Sequence, residues 1–566
     1  MNAHPHAAQP PSHTAFHTLA QALDNAATSQ ARIRFYDNTG HVLTTCSYTQ
    51  LHHTALQLAG ILQAHKLPRH ARVALLADTC IEFIALFFAC QYAGLLPCPL
   101  PYAISATDQD AYTRKLTHLL KTAQASFVIT PKSIDPIIQN IAQTLHLRAA
   151  TYEALHETLA TQTVQMPGTQ QPWPLHPLQE SEPAYLQFSS GSTSEPKGIL
   201  VSQQAAIANL KSILYDGLKV TPEDKAFSWL PFYHDMGLVG FVLAPVCGQV
   251  SIDYISPRSF ARRPSLWLTL MSSLRSTITY APDFAYALAA KRLPAATMLD
   301  LSALRIAGVG GDMVHAQTLK TFAQQMATHG FRFTAFSPSY GLAEATLAIT
   351  MTPPEEPPFI RQFDQAGIHH ELVSSGKPLP GYDICITPLP PTAHTAPSMA
   401  GEIWVKGPSI AQTIEPAQPS GPQTPAQKYL PTGDLGFLYD NHLFITGRSK
   451  DLIIIRGRNI WAQDIEWSVC EQEPAIQKQH VCAVGIPQTT PAGTEEQLTV
   501  LIDHQIPDKN TRKLTEQRLI NMLSQNFAIV AHIVWLKPHQ LTLTSSGKLA
   551  RAQIKNQYLA GQLAVL

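Results

Sequence analysis

Residues 184–199 read A-Y-L-Q-F-S-S-G-S-T-S-E-P-K-G-I, and this stretch decides the fold. A short apolar strand, Ala184–Phe188, runs directly into a loop of hydroxyl side chains that contains one glycine and ends near Lys197. Glycine lets the backbone approach phosphate oxygens closely, and successive N–H groups form an anion-binding nest. The order P-K-G differs from the G-K-[ST] of a Walker A loop. The loop therefore predicts binding of a nucleotide triphosphate, with a polar surface loop as the alternative.

The composition indicates a core-rich globular protein and argues against nucleic-acid binding. The chain has 566 residues, of which 45% are hydrophobic and 14% charged, against about 25% charged residues in typical domains. Its net charge is +0, and no dense Lys/Arg run supplies the basic face that a nucleic-acid binder usually has. The 8 cysteines are scattered without a C-x-x-C pair, which is typical of free thiols in a reducing compartment. We therefore expect a cytoplasmic protein without nucleic-acid partners.

The first residues and the most apolar segment predict neither export nor stable membrane insertion. No charged segment followed by an apolar one stands at the start of the sequence, so no secretory signal is expected. The segment Ile81–Leu100 is strongly apolar, but it contains Glu82 and is broken at Pro97. A buried helix is therefore expected there rather than a membrane span.

Strand-like and helix-like runs alternate through the first three quarters of the chain. Val73–Ala77 and Phe127–Thr130 are predicted strands, and Ile81–Tyr92 and Ile137–Leu145 are predicted helices. This alternation favours βαβ units and largely parallel sheets. From about Asp451 the pattern changes to a small α+β unit, with predicted helices at Gln463–Cys470, Asp508–Ser524 and Leu549–Leu559 and predicted strands at Val481–Ile486, Leu498–Asp503 and His532–Leu536.

Further segments carry polar groups in dense arrangements: S-W-L-P-F-Y-H-D-M-G-L-V-G (Ser228–Gly240), S-Y-G-L-A-E-A-T (Ser339–Thr346), Y-L-P-T-G-D-L-G (Tyr429–Gly436) and T-S-S-G-K-L-A-R (Thr544–Arg551). Each has an ordinary structural explanation when it is taken alone. His234 could be a packed core histidine, Glu344 and Lys548 could be solvated, and Asp434 could be a turn residue. The functional alternative is that Tyr340 stacks on a base, Glu344 holds a cation and Asp434 binds a sugar diol.

The order and spacing of these segments resemble those of acyl-adenylate-forming enzymes from about Tyr48 to Arg551, which is nearly the whole chain. Within that superfamily the sequence is most similar to the fatty acyl-AMP ligases. Besides Ser228–Gly240, the resemblance rests on S-P-R-S-F-A-R-R-P-S-L-W-L (Ser256–Leu268), Y-A-P-D-F-A-Y (Tyr280–Tyr286), Y-G-L-A-E-A-T-L (Tyr340–Leu347), G-E-I-W-V-K-G-P-S (Gly401–Ser409) and K-D-L-I-I-I-R-G-R-N (Lys450–Asn459).

The resemblance implies a fold and a reaction. The fold would be α/β, with a large N-terminal domain (residues 1–450) of two α/β sheets plus a small β-barrel, and a small, mobile α+β C-terminal domain (residues 451–566). The polar segment Gly447–Asp451, otherwise an ordinary turn, would contain the hinge at Asp451. ATP, Mg²⁺ and a fatty acid would give acyl-AMP and pyrophosphate. The acyl group would then pass to the phosphopantetheine thiol of an acyl carrier protein or of a polyketide or nonribosomal synthase carrier domain.

The resemblance also implies a role for each site residue. Phosphate-loop hydroxyls would bind the triphosphate, Asp434 and Arg448 the ribose, and Lys548 would bridge the carboxylate and α-phosphate oxygens. The implied catalytic residues are Lys548, His234, Glu344 and Thr193, of which Glu344 and Thr193 would hold Mg²⁺. The implied nucleotide-binding residues are Ser189, Ser190, Gly191, Ser192, Thr193, Lys197, Gly310, Gly311, Ser339, Tyr340, Gly341, Asp434, Phe444, Arg448 and Lys548. The implied walls of the acyl channel are Phe232, His234, Met236, Gly237 and Phe284.

The sequence departs from the family pattern at a few positions and leaves alternatives open. Ser194 stands where the phosphate loop often has glycine, and V-G-G-D-M (Val309–Met313) replaces the usual N-G-A-E-P, which changes the residue at Asp312. The segment Thr352–Leu372 lies where the fatty acyl-AMP ligases carry an insertion that is implicated in excluding coenzyme A, and it is short. The alternatives are therefore an acyl-CoA synthetase and a non-catalytic member that only binds nucleotide or acyl-AMP.

Overall fold

The structure is a computed structural model that describes residues 16–102, 109–165, 175–189, 197–365, 368–388, 400–414, 429–455, 458–490, 493–506, 508–527, 529–543 and 548–566. A large N-terminal domain of mixed α/β structure precedes a smaller C-terminal domain. This arrangement confirms the predicted fold class. Strands and helices are numbered in chain order.

The main sheet of the N-terminal domain is parallel in its centre and antiparallel at its edges. Because parallel strands end at the same edge, the residues that follow Val309 and Pro338 are brought side by side. In order across the sheet the strands are β17 (Lys377–Pro378), β14 (Ala348–Met351), β13 (Phe336–Gly341), β12 (Ile306–Val309), β11 (Ile278–Ala281), β9 (Lys225–Ser228), β10 (Ser251–Ile255), β1 (Arg32–Tyr36) and β2 (Val42–Ser47).

A second, parallel sheet and antiparallel units complete the sheets of this domain. The parallel sheet runs β4 (Leu96–Leu100), β3 (Arg72–Leu76), β5 (Phe127–Thr130) and β6 (Arg148–Thr151). One antiparallel sheet contains β20 (Gln412–Ile414), β8 (Lys197–Ser202) and β7 (Pro183–Ser189). The unit predicted as a small barrel is the antiparallel sheet β18 (Asp383–Pro388), β19 (Gly401–Lys406), β21 (Leu430–Tyr439) and β22 (His442–Arg448), with the hairpin β15 (Ile360–Gln365) and β16 (Ile368–Val373) beside it.

Helices pack on the parallel sheets, as the alternating sequence pattern predicts. The segment expected to be a buried helix forms α3 with Phe83, Phe87 and Phe88 buried in the core. Among the described residues, no helix has the length and apolar character needed to cross a membrane. The helices of this domain are α1 (Leu19–Ala26), α2 (Tyr48–Ala64), α3 (Ile81–Ala93), α4 (Gln109–Ala123), α5 (Asp135–Leu145), α6 (Tyr152–Gln165), α7 (Gln203–Lys211), α8 (Asp235–Leu238), α9 (Ala244–Cys247), α10 (Pro257–Arg262), α11 (Ser265–Leu274), α12 (Asp283–Lys291) and α13 (Ala316–Met326).

The C-terminal domain has its own hydrophobic core, as its change of sequence pattern indicates. Its predicted helices and strands all form, and the main difference is length. The predicted strand Val481–Ile486 extends to Thr490, because it pairs residue by residue with the following strand. The elements are β23 (Leu452–Ile455), β24 (Arg458–Trp461), α14 (Ala462–Gln472), β25 (Val481–Thr490), β26 (Gly493–Ile502), α15 (Lys509–Phe527), β27 (His532–Trp535) and α16 (Arg551–Leu559).

A chain of buried amide groups joins the N-terminal helices to the strand that enters the phosphate loop. The Gln91 amide on α3 donates to the Ala184 carbonyl oxygen at 2.8 Å and accepts from the Gln203 amide at 2.7 Å. Gln203 in turn accepts a bond from the Leu19 N–H at 2.9 Å. Buried polar groups are costly unless they are paired, so these bonds fix α1, α3 and α7 around β7.

We predict that Gln91→Leu destabilises the N-terminal domain by about 1–3 kcal/mol, because it leaves the Gln203 amide and the Ala184 carbonyl group without their partner in the core. Thermal unfolding followed by circular dichroism measures the change. The matched control is Gln139→Leu, because Gln139 is exposed and its side chain, within the described part of the chain, bonds only Asp135 on its own helix. Equal midpoints for the two variants would contradict the structural role of the buried amides.

Candidate functional site

A cavity of about 950 Å³ lies between the two domains, and most of the predicted site residues line it. They come from strand ends of the main sheet, from β21 and β22, from the turn after β22, and from the C-terminal domain. The predicted residues in its wall are Ser189, His234, Met236, Phe284, Gly310, Gly311, Ser339, Tyr340, Gly341, Glu344, Asp434, Arg448, Asp451 and Lys548.

Some predicted residues cannot be placed in this wall. Ser190, Gly191, Ser192 and Thr193 lie outside the described residues. Lys197 begins β8 as the pairing partner of Ser189, but it is not part of the cavity wall.

Phe232, Gly237 and Phe444 are not part of the cavity wall, so their role as ligand contacts stays a prediction. Phe232 is fully buried and packs on the rings of Phe83 and Tyr254, with centroids 5.5 and 5.1 Å away. A Cβ at Gly237 would lie 2.1 Å from the Pro231 carbonyl oxygen, so this glycine permits a close approach of backbone to backbone. Phe444 is fully buried and stacks on Phe437 in the core beside β22, and the neighbouring residue of the strand, Ile445, lines the cavity.

The predicted ribose-binding residues converge on one buried carboxylate. Asp434 and Arg448 face each other across β21 and β22, and Arg448 Nε lies 2.9 Å from Asp434 Oδ1. The Tyr340 hydroxyl donates to Asp434 Oδ2 at 2.7 Å. Burial, reinforced by the Asp434 charge, raises the pKa of Tyr340 well above its usual value, so this hydroxyl stays a donor. A carboxylate has about four acceptor positions, which leaves room for hydroxyl groups of a ligand.

His234 stands at the start of α8 with its ring orientation set by the next residue. Its Nδ1 lies 2.6 Å from Asp235 Oδ1, and the Met236 N–H donates to the same oxygen at 2.7 Å. Burial opposes ionisation of Asp235, but the His234 ring and the Met236 N–H outweigh it and hold the pKa of that carboxyl below its usual value. Asp235 therefore engages Nδ1 and leaves Nε2 as the ring nitrogen for other partners.

Glu344 is a carboxyl group in the cavity wall whose charge is poorly compensated. It lies in the turn Ala343–Ala345, and burial raises its pKa above the usual value. A divalent cation would compensate that charge, and carboxylate oxygen is the ligand type that Mg²⁺ prefers. Glu344 therefore fits the predicted metal role. Its predicted co-ligand, Thr193, lies outside the described residues.

Lys548 belongs to the C-terminal domain but lines the cavity together with residues of the N-terminal domain. Burial lowers the pKa of its ammonium group, and the negative charge of Asp312 opposes this effect most strongly. The relative placement of the domains therefore brings a partly buried cation to the polar end of the cavity, where Asp434 and Glu344 also lie.

The apolar part of the cavity is made mostly by residues that the sequence analysis missed. They lie on or next to the π-helical segments Ser212–Gly217 and Val239–Leu243, and on or next to strands of the main sheet. A Cβ at Gly240 would first meet Leu347, at 3.5 Å, so the wall is open at this point. Apart from Tyr280 and Leu347, which stand in motifs quoted above, no motif marks these residues, because their only signal is apolar character. They are Ile213, Leu214, Leu218, Val220, Ala226, Phe241, Ala244, Pro245, Val250, Ile278, Tyr280, Leu347, Ala348 and Met351.

Charged residues that the sequence analysis did not select also line the cavity. Arg114, Lys115 and His118 on α4 form part of its wall, as do Asp312 and Lys478 on either side of the domain boundary. Spacing on a helix could have indicated the first group, since Arg114 and Lys115 stand four and three positions before His118, the spacings at which helix side chains are neighbours. Lys478 has no sequence signal, because its partner stands 166 positions away.

The chain matches known proteins over nearly its whole length. The AMP-binding enzyme family model matches residues 22–414. A protein of Caulobacter vibrioides (strain NA1000 / CB15N), provisionally named acyl-CoA synthetase, is 36% identical over 565 residues, with 96% of each chain covered. The medium-chain-fatty-acid–[acyl-carrier-protein] ligase JamA of Moorena producens (strain JHB) is 30% identical over 581 residues, which cover 96% of this chain and 95% of JamA.

A solved structure is also similar in sequence and fold. It comes from structural and functional studies of fatty acyl-adenylate ligases from E. coli and L. pneumophila. It has a TM-score of 0.86 at 34% identity and covers 98% of this chain and 99% of the solved chain. The chain therefore belongs to the AMP-binding enzyme family, and its similarity to fatty acyl-adenylate ligases confirms the resemblance that its motifs indicated.

Proposed function

We propose that this adenylate-forming enzyme activates a fatty carboxylate with ATP and then transfers the acyl group to the phosphopantetheine thiol of a carrier protein. The observation that carries the proposal is a single cavity that joins a polar end, with Asp434, Glu344 and Lys548, to an apolar channel. A nucleotide suits the first part and a hydrocarbon chain suits the second. The cytoplasmic location stays a prediction from the sequence.

In the first half-reaction a carboxylate oxygen of the fatty acid attacks the α-phosphorus of ATP. The bond from that phosphorus to the bridging oxygen breaks, and pyrophosphate leaves with the electron pair. Both reactants are anions, so catalysis consists mainly of positioning and charge compensation. Asp434 would accept the ribose hydroxyls, with Arg448 beside it, and Lys548 would lie between the carboxylate and the α-phosphate.

Mg²⁺ would be held by Glu344, together with Thr193 and phosphate oxygens. When bound, it would neutralise phosphate charge as a hard cation with oxygen ligands. The residues of this chain would orient the reactants around it. His234, fixed by Asp235, would stand at the mouth of the acyl channel beside the reacting carboxylate, and Met236 and Phe284 would form part of the channel wall.

In the second half-reaction the thiol sulfur attacks the acyl carbon, AMP leaves as a phosphate anion, and the thiol proton passes to solvent. The similarity to JamA, named as an acyl-carrier-protein ligase, supports a carrier protein as the acceptor. The similarity to the Caulobacter protein, provisionally named acyl-CoA synthetase, keeps coenzyme A as the second candidate.

The segment Thr352–Leu372, which bears on the choice between a carrier protein and coenzyme A, is fixed to the N-terminal domain. Its strands form the β15–β16 hairpin. Phe363 packs on Phe437 with ring centroids 5.0 Å apart, and the Arg361 guanidinium lies 3.6 Å from the centre of the Tyr439 ring. Lys320 on α13 bonds Glu371 at 2.6 Å. A fixed hairpin at this place, although short, is consistent with a role in acceptor choice.

We also propose that the domains meet at residues 450 and 451, with Asp451 as the pivot. Asp451 ends a single turn between β22 and β23. Its carboxylate lies 2.8 Å from Arg551 Nη1, and Arg551 also pairs with the buried Glu466 at 2.6 Å. Arg551 stands three positions after Lys548. Its side chain therefore joins the proposed pivot to the segment that follows Lys548.

We predict that Lys548→Ala lowers the rate of pyrophosphate release by about 10²- to 10³-fold, because one charge pair at 4 Å is worth about 4 kcal/mol at an effective dielectric near 20. ATP binding, measured by calorimetry, should change little. The control is Lys555→Ala, which removes a lysine that pairs with Glu496 at 3.2 Å on the same domain. Near-normal acyl-AMP formation by the Lys548 variant would refute the assignment. A wild-type protein that releases no pyrophosphate with any fatty acid would favour a non-catalytic binder.

We predict that holo acyl carrier protein accepts the acyl group faster than coenzyme A does. Thioester formation with each acceptor, alone and in competition, measures this after saturating adenylation with fatty acids of increasing length. Deleting residues 360–373, which form the hairpin, should raise the rate of thioester formation with coenzyme A. A preference of the wild-type enzyme for coenzyme A would establish the acyl-CoA synthetase alternative.

We predict that Asp451→Pro slows thioester formation and spares adenylation, because the proline ring restricts backbone rotation at the pivot. The substitution also removes the bond to Arg551. Asp451→Ala is therefore the matched control, since it removes the same carboxylate without restricting the backbone. If both variants change the two half-reactions equally, the pivot does not lie at this residue.

A further inference from the structure

An ion pair across the domain boundary lies in the wall of the cavity and has no role in the chemistry described above. Lys478 Nζ on the C-terminal domain lies 3.5 Å from Asp312 Oδ2 on the N-terminal domain. Asp312 follows β12, and Lys478 precedes β25. Both side chains are partly buried, which strengthens their attraction relative to a surface pair.

The N-terminal side of this contact presents an excess of negative charge. Besides Asp312, it includes Asp283 at the start of α12, which is buried. Asp283 Oδ2 accepts a bond from the His315 N–H at 3.3 Å, and its Oδ1 has no hydrogen-bond partner among the described residues. Burial raises the pKa of Asp283, and the charge of Lys478 is the largest influence that opposes this. Lys478 is therefore the cation that compensates this acidic site.

The C-terminal side holds Lys478 in place through α14. The ammonium group lies 5.5 Å from the centre of the Trp467 ring, within the range of a cation–π contact. Trp467 also packs on His315 of the N-terminal domain, with ring centroids 4.7 Å apart. His315 Nε2 lies 3.4 Å from Glu471 Oε1. The ion pair is thus the polar centre of a contact between α14 and the loop before α13.

The same contact is linked electrostatically to Lys548 at the polar end of the cavity. Asp312 attracts both Lys478 and Lys548, and these attractions outweigh burial and bring its pKa to about 2. If the C-terminal domain turned away, Asp312 and Asp283 would lose their compensating charges together. Leaving buried carboxylates without their partners costs free energy. The orientation in which Lys548 lies in the cavity is therefore favoured over one in which the C-terminal domain has turned away.

We propose that Lys478 is a positioning residue, and that its ion pair with Asp312 is a latch that holds the C-terminal domain in the adenylating orientation. The inference rests on the proposed function, since it concerns how that reaction is divided between two orientations. The latch stabilises the domain orientation of the first half-reaction. The ion pair has to break before the C-terminal domain can turn for the second half-reaction. Its strength therefore sets the balance between acyl-AMP formation and acyl transfer.

The test is to measure the two half-reactions separately in Lys478→Gln. Pyrophosphate release reports adenylation, and thioester formation from supplied acyl-AMP and the acceptor reports transfer. We expect kcat for adenylation to fall about tenfold, as for typical coupling between sites, with KM for ATP unchanged. Transfer from supplied acyl-AMP should be unchanged or faster. Thermal unfolding checks that the variant folds, and Lys555→Gln, which breaks an ion pair inside the C-terminal domain, is the matched control.

A double-mutant cycle with Asp312→Asn tests whether the two residues act as a pair. If they do, the double variant should lose less adenylation than the sum of the losses of the two single variants. Additive losses would overturn the latch. Equal loss of rate in both half-reactions would also overturn the latch. A raised KM for ATP with normal kcat would overturn it too, because it would make Lys478 a nucleotide contact. Failure of the wild-type enzyme to release pyrophosphate would instead refute the proposed function.

Discussion

The site depends on holding a lysine of the C-terminal domain at the polar end of a cavity between the two domains. An ammonium group loses solvation when it is buried, and the pKa of Lys548 is lowered for this reason. The surrounding carboxylates Asp312, Asp235 and Asp434 oppose the shift. The cavity is therefore built so that a cation is acceptable at its polar end, and phosphate charge from a nucleotide would compensate it further. The remaining features of the site are arranged around this electrostatic requirement.

The main sheet supplies most of the carboxylates because its parallel strands end at a common edge. Asp312 follows β12, and Glu344 follows β13. Asp434 and Arg448 come from a different, antiparallel sheet, whose pairing register places them opposite each other. Tyr340 joins the two sheets through its bond to Asp434. A change in either strand register would therefore separate the polar groups from each other, even if every residue were kept.

Much of the fold follows from local patterns. The alternation of strand-like and helix-like segments predicted the parallel sheets. The change of pattern after the polar segment Gly447–Asp451 predicted a separate C-terminal domain. The burial of α3 followed from Glu82 and Pro97, which make a membrane span unfavourable. The polar motifs predicted His234, Glu344, Asp434 and Lys548 as site residues, and the structure places all four in the wall of one cavity. The cavity wall does not include the predicted contacts Phe232, Gly237 and Phe444, whose surroundings are set by packing.

The sequence by itself determined the fold class and the order of the domains, and it predicted which polar side chains form the site, because hydrophobic periodicity and motifs with fixed spacing carry this information. Only the tertiary structure decided which apolar side chains form the channel and that Lys478 meets Asp312. Apolar residues carry no mark that separates a channel wall from a core. Contacts between distant positions depend on how sheets and domains pack, which local sequence does not specify.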